Sequence, residues 1–207
     1  MALKLERGVL IVFEGIDGTG KSTQCGLLEQ SLNEMQVPNI ALAEPTRGVW
    51  GMKIRRLLSE GRKNISPQEE LSWFVNDRKE DIETNIMPAL QENKVVIMDR
   101  YYFSTAAYQG ALGLDPDQIR QENEKFAPIP DRVLIFLSSA EKCLERIESS
   151  RDQKSAFEKL DYLNKVQDIF EKFNGPNIRF IENTGSLSDV HEKVLAEVRD
   201  LFDFDVK

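Results

Sequence analysis

A strand that runs directly into a glycine-rich loop limits what this chain can fold into. Residues 15–22 read Gly-Ile-Asp-Gly-Thr-Gly-Lys-Ser, a full match to the phosphate-binding pattern G-x-x-x-x-G-K-[ST]. The glycines allow a tight turn whose N–H groups point inward, toward phosphate oxygens. A chance match would not explain the apolar run at 9–13 before the loop or the amphipathic helix after it. The sequence therefore predicts a nucleoside triphosphate site.

Two side chains of this loop have expected roles of their own. Lys21 supplies a positive charge for the β- and γ-phosphates, and Ser22 offers a hydroxyl ligand to Mg²⁺. In the helix that follows, the apolar face is predicted to consist of Cys25, Leu28, Leu32 and Met35. The residues expected to bind the nucleotide are Gly15, Ile16, Asp17, Gly18, Thr19, Gly20, Lys21, Ser22 and Thr23.

Apolar runs alternate with helical patterns along the chain. The runs at 9–13, 40–43, 95–98, 133–137 and 178–181 predict five strands. Helical crossovers between them make the strands parallel and place helices on both faces of the sheet. No composition break divides the 207 residues. We therefore predict one α/β domain, 1–207, with a three-layer phosphate-loop fold and a five-stranded parallel sheet.

Charge and rare residue types exclude several function classes. A net charge of −8 argues against a broad nucleic-acid-binding face. The apolar runs are too short to span a bilayer, and the first residues lack a signal-peptide core, so a cytosolic protein without membrane partners is expected. Cys25 and Cys143 are predicted to be buried free thiols. A single histidine, His191, supports neither a Ser-His-Asp triad nor a zinc site.

Charged residues close the third predicted strand. Asp99 follows the apolar run 95–98, the position from which a carboxylate holds Mg²⁺ in phosphate-loop proteins. The alternative is an aspartate that caps the next helix. Arg100 lies beside it and suits a bidentate grip on a phosphate. The polar loop 44–48 follows the second strand, where parallel sheets present functional side chains.

An aromatic residue and a cation share one face of a predicted long helix. The helix begins at Ser66-Pro67, a serine cap followed by proline, and its apolar stripe continues to about Leu90, with Pro88 bending the last turn. Arg78 lies four residues after Phe74 on that stripe. The arginine either extends to solvent or faces a ligand cavity lined by the aromatic ring, and the sequence favours neither.

A wholly polar stretch at 148–154 predicts a mobile flap. We expect a flexible lid near 148–156. Arg151 and Lys154 could close over phosphates from there. The alternative is that these charges are merely solvated, as exposed charges in loops usually are.

Other classes of phosphate-loop protein lack their signatures here. Neither a guanine-reading N-K-x-D motif nor the L-S-G-G-Q of ABC-type ATPases occurs, which leaves a compact kinase for a small anionic substrate. One family matches residues 13–24, the pair Glu44-Pro45, Phe74 with Arg78, and Asp-Arg-Tyr at 99–101 running into Ala-Tyr-Gln-Gly at 107–110. Over nearly its whole length the chain resembles these thymidylate (dTMP) kinases.

This resemblance implies how the base and the sugar of dTMP are bound. Phe74 is similar to the ring that stacks on thymine, and Arg78 to the residue that hydrogen-bonds the base edge. Asp17 corresponds to the acidic residue at the 3′-hydroxyl. Tyr108 resembles the tyrosine beneath the deoxyribose, where it would crowd a 2′-hydroxyl, and Gln109 lies beside it.

The resemblance also implies which residues bind phosphates and adenine. Arg55 and Arg100 look like the pair that holds the dTMP phosphate, and Arg146 like the residue that packs on adenine. Glu44 belongs to the Glu-Pro pair at the acceptor side. After it the chain departs from many bacterial members, so the acceptor-side arginine is expected at Arg47.

A second departure lies in the phosphate loop itself. One branch of the family has an arginine directly after the loop aspartate, where this chain has Gly18. The missing charge should then come from the lid, as in the other branch. Arg151 is the first candidate, followed by Lys154 and Arg146.

The resulting hypothesis is a dTMP kinase that uses Mg²⁺ and ATP and forms dTDP and ADP. The resemblance also implies a homodimer. An acceptor phosphate is already a nucleophile at neutral pH, so no general base is needed and Lys21, Asp99, Arg100 and Arg151 are the expected catalytic residues. The alternatives are a kinase of this fold for another nucleotide or nucleoside, and a non-catalytic ATP-dependent switch protein.

Overall fold

The computed structural model describes residues 5–62, 64–147 and 153–202, with the backbone alone at 147 and 153–158. Its centre is a five-stranded sheet in the order β2-β3-β1-β4-β5. Each neighbouring pair of strands is parallel, so the predicted sheet is confirmed. The strands are β1 Val9–Glu14, β2 Asn39–Ala43, β3 Val95–Asp99, β4 Arg132–Leu137 and β5 Ile178–Glu182.

Helices cover both faces of this sheet. They are α1 Lys21–Glu34, α2 Val49–Glu60, α3 Pro67–Asp81, α4 Met87–Gln91, α5 Tyr102–Gly110, α6 Pro116–Glu124, α7 Ala140–Ile147, α8 Gln153–Phe170 and α9 Leu187–Val198, with a π-helical turn at Ile82–Ile86 and a 3₁₀ turn at Arg199–Leu201.

Alternate residues of the central strands enter two separate cores. On β1, Leu10 and Val12 pack with α4, α5 and α8, whereas Val9 and Ile11 pack with α1 and α9. This alternation follows from the two-residue period of a strand buried on both faces. The result is the predicted three-layer arrangement.

Polar side chains cap the N-termini of two helices, α3 and α6. The Ser66 side chain accepts a hydrogen bond from the Glu69 N–H at 3.1 Å, and Pro67 is the first residue of α3. Asp115 caps α6 in the same way, accepting from the Asp117 N–H at 2.9 Å. Such caps satisfy N–H groups that lack partners inside the helix.

The predicted helix to about residue 90 is interrupted before Pro88. The π-helical turn Ile82–Ile86 separates α3 from α4, so the distortion precedes the proline instead of bending the last turn. Proline cannot donate the next helical hydrogen bond and its ring crowds the preceding turn, which the wider π turn relieves.

Burial on the first and third helices also differs from the expected pattern. Cys25, Leu28 and Leu32 are buried, but Met35 is 41% exposed because α1 ends at Glu34 and its cap lies beyond the core. On α3 the buried residues are charged: Glu70, Asp77, Arg78 and Asp81. They are buried because this side of α3 faces a polar interior beside the sheet ends, not the apolar core.

Both cysteines are free and buried, as predicted. Among the helices of the described ranges, none has both the length and the apolar character needed to cross a bilayer.

Candidate active site

The loop between β1 and α1 forms a tight turn at the carboxyl end of the sheet. Gly15, Gly18 and Gly20 have φ angles of +128°, +83° and +86°, which residues with a Cβ rarely adopt. The Ile16 carbonyl accepts hydrogen bonds from Thr19 Oγ1 at 2.8 Å and from Lys21 Nζ at 2.7 Å. The expected phosphate cradle is therefore formed, with its lysine directed into it.

Lys21 is buried within this cradle. Burial lowers its pKa to about 8, and the positive charge of Arg100 acts in the same direction. The carboxylates of Asp17 and Asp99 oppose that shift. Phosphate oxygens would oppose it further, so a bound polyphosphate should hold Lys21 in its charged form.

A side chain at position 18 would clash with helix α7. A Cβ built on Gly18 would lie 2.6 Å from the carbonyl oxygen and 3.0 Å from the Cα of Cys143 in α7. Together with a φ of +83°, this contact explains why the loop carries no arginine after Asp17. An arginine on α7 is nearby instead, because Arg146 Nη1 donates to the Gly18 carbonyl at 3.0 Å.

Ser22 and Asp99 meet at the end of the strand pair β1–β3. The Ser22 hydroxyl donates a hydrogen bond to the Asp99 carboxylate, and Phe13 is the strand partner of Asp99. Helix α5 begins at Tyr102 with Tyr101 as its cap, so Asp99 does not cap it. A hydroxyl and a carboxylate are hard oxygen ligands, and Mg²⁺ typically takes one or two protein carboxylates plus substrate phosphates. The donor set fits Mg²⁺.

Arg100 bridges the phosphate loop and α5. Its Nη1 donates to the Gly15 carbonyl at 3.2 Å and to Ser104 Oγ at 2.8 Å, and its Nη2 contacts the Asp17 carboxylate. Tyr108 closes the cluster, donating to Asp17 at 3.1 Å and accepting from the Asp17 N–H at 3.0 Å. Burial alone would raise the pKa of Asp17, but the charges of Arg100 and Lys21 outweigh it and lower that pKa.

Arg78 is directed into the interior and not to solvent. Only 1% of its side chain is exposed, and its guanidinium contacts the Glu44 carboxylate. Nη2 also donates to Thr105 Oγ1 at 3.0 Å, and Nη1 donates to Asn123 Oδ1 at 2.7 Å. Burial raises the pKa of Glu44 while the Arg78 charge works against that rise. Sequence alone left the two placements of Arg78 open, and the structure decides between them.

A cavity of about 520 Å³ brings these residues together. This volume lies in the range of small-molecule sites, roughly 300–1,000 Å³. The predicted residues that line it are Asp17, Glu44, Phe74, Arg78, Arg100, Tyr108 and Gln109. Sequence reasoning assigned no role to other lining residues, which lie on α2, α5, α7 and α8, just after α2 or just before α5: Leu58, Arg62, Tyr101, Ser104, Thr105, Leu144, Lys159, Tyr162 and Leu163.

Other predicted residues lie at the edge or outside. Arg55 donates to the Thr46 carbonyl at 3.1 Å and is exposed beside the loop after β2. Arg47 is exposed and does not line the cavity. Gln109 does line the cavity, but its side chain is fully buried and its amide donates to Glu70 at 2.9 Å. Arg151 and most of the predicted lid, 148–152, lie outside the described residues.

A sequence model of the thymidylate kinase family matches residues 13–194. The chain belongs to this family. The match begins near the end of β1 and ends in α9. It includes the phosphate loop, the residues that line the cavity, the last two residues of β1 and the other four strands.

Individual relatives of the family cover almost the same length. A thymidylate kinase of Desulfotalea psychrophila is 44% identical over 94% of this chain and 96% of its own length. A probable thymidylate kinase of Archaeoglobus fulgidus is 41% identical over 90% of this chain and 92% of its own. The crystal structure of a thymidylate kinase from Ehrlichia chaffeensis has a TM-score of 0.72 at 27% identity, covering 92% of this chain and 98% of the other.

The sequence analysis assigned no role to two polar residues beside the phosphate loop of this thymidylate kinase family member. Asn183, which follows β5, donates to the Thr19 carbonyl at 2.6 Å. Glu14, the last residue of β1, is fully buried and accepts from the Tyr101 N–H at 2.8 Å. Each stands where an apolar strand ends in a polar residue, the same signal that identified Asp99.

Proposed function

We propose that this member of the thymidylate kinase family transfers the γ-phosphate of ATP to dTMP, giving dTDP and ADP. One observation carries the proposal: a single cavity is bordered by the phosphate loop at Asp17 and, at its other wall, by Phe74 and the buried Arg78. A base held by the ring and the guanidinium would place its 5′-phosphate toward Arg100 and Lys21. Phosphoryl transfer requires mainly such positioning and charge neutralisation.

In this proposal each residue acts through binding and orientation. Phe74 stacks on thymine, Arg78 donates to the base edge, and Tyr108 lies under the deoxyribose near Asp17. Arg100 and the rim residue Arg55 hold the dTMP phosphate, with Arg47 as the further acceptor-side cation. Glu44 holds Arg78 in place, as its contact with that guanidinium supports.

Lys21 and the backbone amides of the loop hold the phosphates of ATP. Arg146, which donates a hydrogen bond to the Gly18 carbonyl, borders the adenine. Ser22 and Asp99 would hold Mg²⁺. When bound, the ion would neutralise phosphate charge as it develops in the transition state. The hydrogen bond between the Ser22 hydroxyl and the Asp99 carboxylate supports a role for Mg²⁺, because it brings two oxygen ligands together.

Arg151 is part of the proposal because position 18 has no room for the arginine that one branch of the family carries there. Arg151→Ala should slow the chemical step by about 10³-fold, the scale of an arginine that neutralises transition-state charge, with dTMP affinity nearly unchanged. Rapid-quench single-turnover kinetics measure that step. An unchanged rate would remove Arg151 and leave Arg146 and Lys154 as the candidates.

An acceptor panel tests the reaction itself. Coupled ADP release is measured with dTMP, dUMP, dCMP, dGMP, thymidine and no acceptor. We expect dTMP to be strongly preferred. Preference for another acceptor would indicate a kinase of the same fold with a different substrate, and slow hydrolysis independent of any acceptor would indicate an ATP-dependent switch protein.

Three substitutions test the catalytic assignment. Lys21→Ala, Asp99→Ala and Arg100→Ala should each lower kcat/KM by at least about 100-fold, since each removes a charge that acts on the phosphates. Lys165→Ala, on the exposed face of α8 where Lys165 pairs with Asp161, is the matched control and should keep full activity. Near-normal turnover in all three variants would contradict the assignment.

We further propose a cytosolic homodimer. The exposed apolar residues of α2 support a dimer contact there, because Val49 and Met52 are 77% and 55% exposed. Sedimentation equilibrium of the protein and of a Val49→Glu/Met52→Glu variant tests this part. We expect a dimer for the first and a monomer for the second.

A further inference from the structure

Glu14 forms a buried link between the phosphate loop and the segment that carries Arg100. It is the last residue of β1 and has no exposed surface. One carboxylate oxygen accepts from the Tyr101 N–H at 2.8 Å and from the Ser104 N–H at 3.2 Å. The other accepts from the Ser104 hydroxyl. All three described hydrogen-bond partners of Glu14 are therefore donors.

Ser104 connects Glu14 to Arg100 through hydrogen bonds to both side chains. Its hydroxyl has one proton, which it gives to Glu14, so its lone pairs remain free to accept. Arg100 Nη1 donates to one of them at 2.8 Å. The hydrogen bonds thus run in one direction, from Arg100 to Ser104 to Glu14, and the negative charge at their end strengthens both.

Arg100 needs such support because its backbone is in an unfavourable conformation. Its φ is +75°, a value that is uncommon for a residue with a Cβ and that persists only when surrounding contacts hold it. Its N–H donates to the Phe13 carbonyl at 3.0 Å, directly before Glu14 in β1. The end of β1 therefore holds Arg100 through both its backbone and its guanidinium.

We propose that Glu14 is a positioning residue for dTMP: acting through Ser104, it orients the Arg100 guanidinium toward the site of the acceptor phosphate. The inference rests on the proposed function, because it takes Arg100 to bind the dTMP phosphate. Glu14 itself touches no substrate in this proposal. Burial raises the pKa of Glu14 to about 7, while Ser104 and Arg100 favour its charged form.

An amide cannot replace the carboxylate without losing part of this network. If a glutamine kept its oxygen toward the two backbone N–H groups, its NH₂ group would face Ser104 Oγ. The hydroxyl would then accept twice and its own proton would lose this partner. If the amide were turned, its NH₂ group would face two N–H donors. The first orientation reverses the hydrogen bond between residue 14 and Ser104, and the second leaves the Tyr101 and Ser104 N–H groups without their acceptor, so each loses part of the support of Arg100.

Glu14→Gln therefore tests the proposal with nearly unchanged shape. We expect KM for dTMP to rise about tenfold or more, the loss typical of one hydrogen bond to a charged group, and KM for ATP to change less than about twofold. Arg132→Met is the control for loss of a buried charge, since Arg132 pairs with Asp200 at 2.6 Å at the opposite end of the sheet. It should lower Tm and leave KM for dTMP unchanged.

A double-mutant cycle with Ser104→Ala separates positioning from general destabilisation, and the mild serine variant provides a test even if Glu14→Gln folds poorly. If Glu14 acts through Ser104, both single variants raise KM for dTMP and the double variant is no worse than the more severe single one. Additive effects on KM, or equal increases in the two KM values, would overturn the inference.

Turnover of dTMP by the wild-type protein distinguishes failure of the proposed function from failure of the inference about Glu14. Without dTMP turnover by the wild type, the proposed function fails. With normal dTMP turnover by the wild type and an unchanged KM for dTMP in Glu14→Gln, the inference about Glu14 fails alone.

Discussion

Replacing Arg78 with methionine should destabilise the fold, because it leaves the Glu44 carboxylate buried without its cation. The two side chains are 1% and 4% exposed, so solvent cannot replace the lost partner. Removing one member of such a pair typically costs about 3–5 kcal/mol. For a domain of this size that corresponds to a Tm about 6–20 °C lower. Methionine retains much of the volume, which limits the contribution of a cavity.

Two further measurements attribute the loss to the unpaired carboxylate. The double variant Glu44→Gln/Arg78→Met should recover at least half of the lost stability, because the amide carries no charge into the interior. Burial raises the pKa of Glu44 to about 8 even beside Arg78, and removing the cation raises it further. A raised carboxyl pKa means that the folded state binds a proton more readily, so stability falls as the pH rises toward that value.

The assay is thermal unfolding followed by circular dichroism between pH 5 and pH 9. The deficit of Arg78→Met relative to wild type should be nearly constant between pH 5 and pH 7 and larger at pH 9, because Glu44 of the wild type loses its proton only as the pH approaches about 8. A decrease in Tm of under about 2 °C at pH 8 corresponds to less than about 1 kcal/mol. That result, or a double variant no more stable than the single one, would refute the reasoning.

Three other predictions follow from particular contacts. Gly18→Ala should destabilise the protein by about 1–3 kcal/mol and raise KM for ATP, since its Cβ would lie 2.6 Å from the Cys143 carbonyl at a φ of +83°; unchanged urea unfolding would contradict this. Burial raises the pKa of Glu14 from 4.5 to about 7, so wild-type stability should fall between these pH values. The slope is at most about 1.4 kcal/mol per pH unit, and Glu14→Gln should lack this component, as differential scanning calorimetry across that range can measure. Ser66→Ala should cost about 1 kcal/mol by removing the cap of α3 while retaining kcat, and a loss larger than about 3 kcal/mol would point to another role.

Features with a short sequence range were predictable. The strand, glycine loop and helix around Lys21 are encoded by adjacent residues, and the motif requires those glycines for steric reasons. The cap at Ser66 likewise depends on a neighbour within three residues. The structure places these elements where the pattern indicated.

The burial of helix residues was not predictable in the same way, because it depends on the segment that packs against the helix. The pattern on α3 suggested an apolar stripe, yet its buried residues are Glu70, Asp77, Arg78 and Asp81. Periodicity shows which residues share a face, but not which partners that face meets. Met35 shows the same limit, since α1 ends before its side chain can reach the core.

By itself, the sequence determined the parallel sheet and the phosphate loop, because each depends on local backbone chemistry or on strand and helix periodicity. Only the tertiary structure decided that Arg78 is buried against Glu44, that α7 leaves no room at Gly18, and that Glu14 reaches Arg100 through Ser104. These contacts join residues 34 to 125 positions apart in the chain (Glu44 and Arg78, Gly18 and Cys143). Whether a buried charge has a partner depends on the packing of such distant segments, and the energy of a charge in the interior depends on that partner.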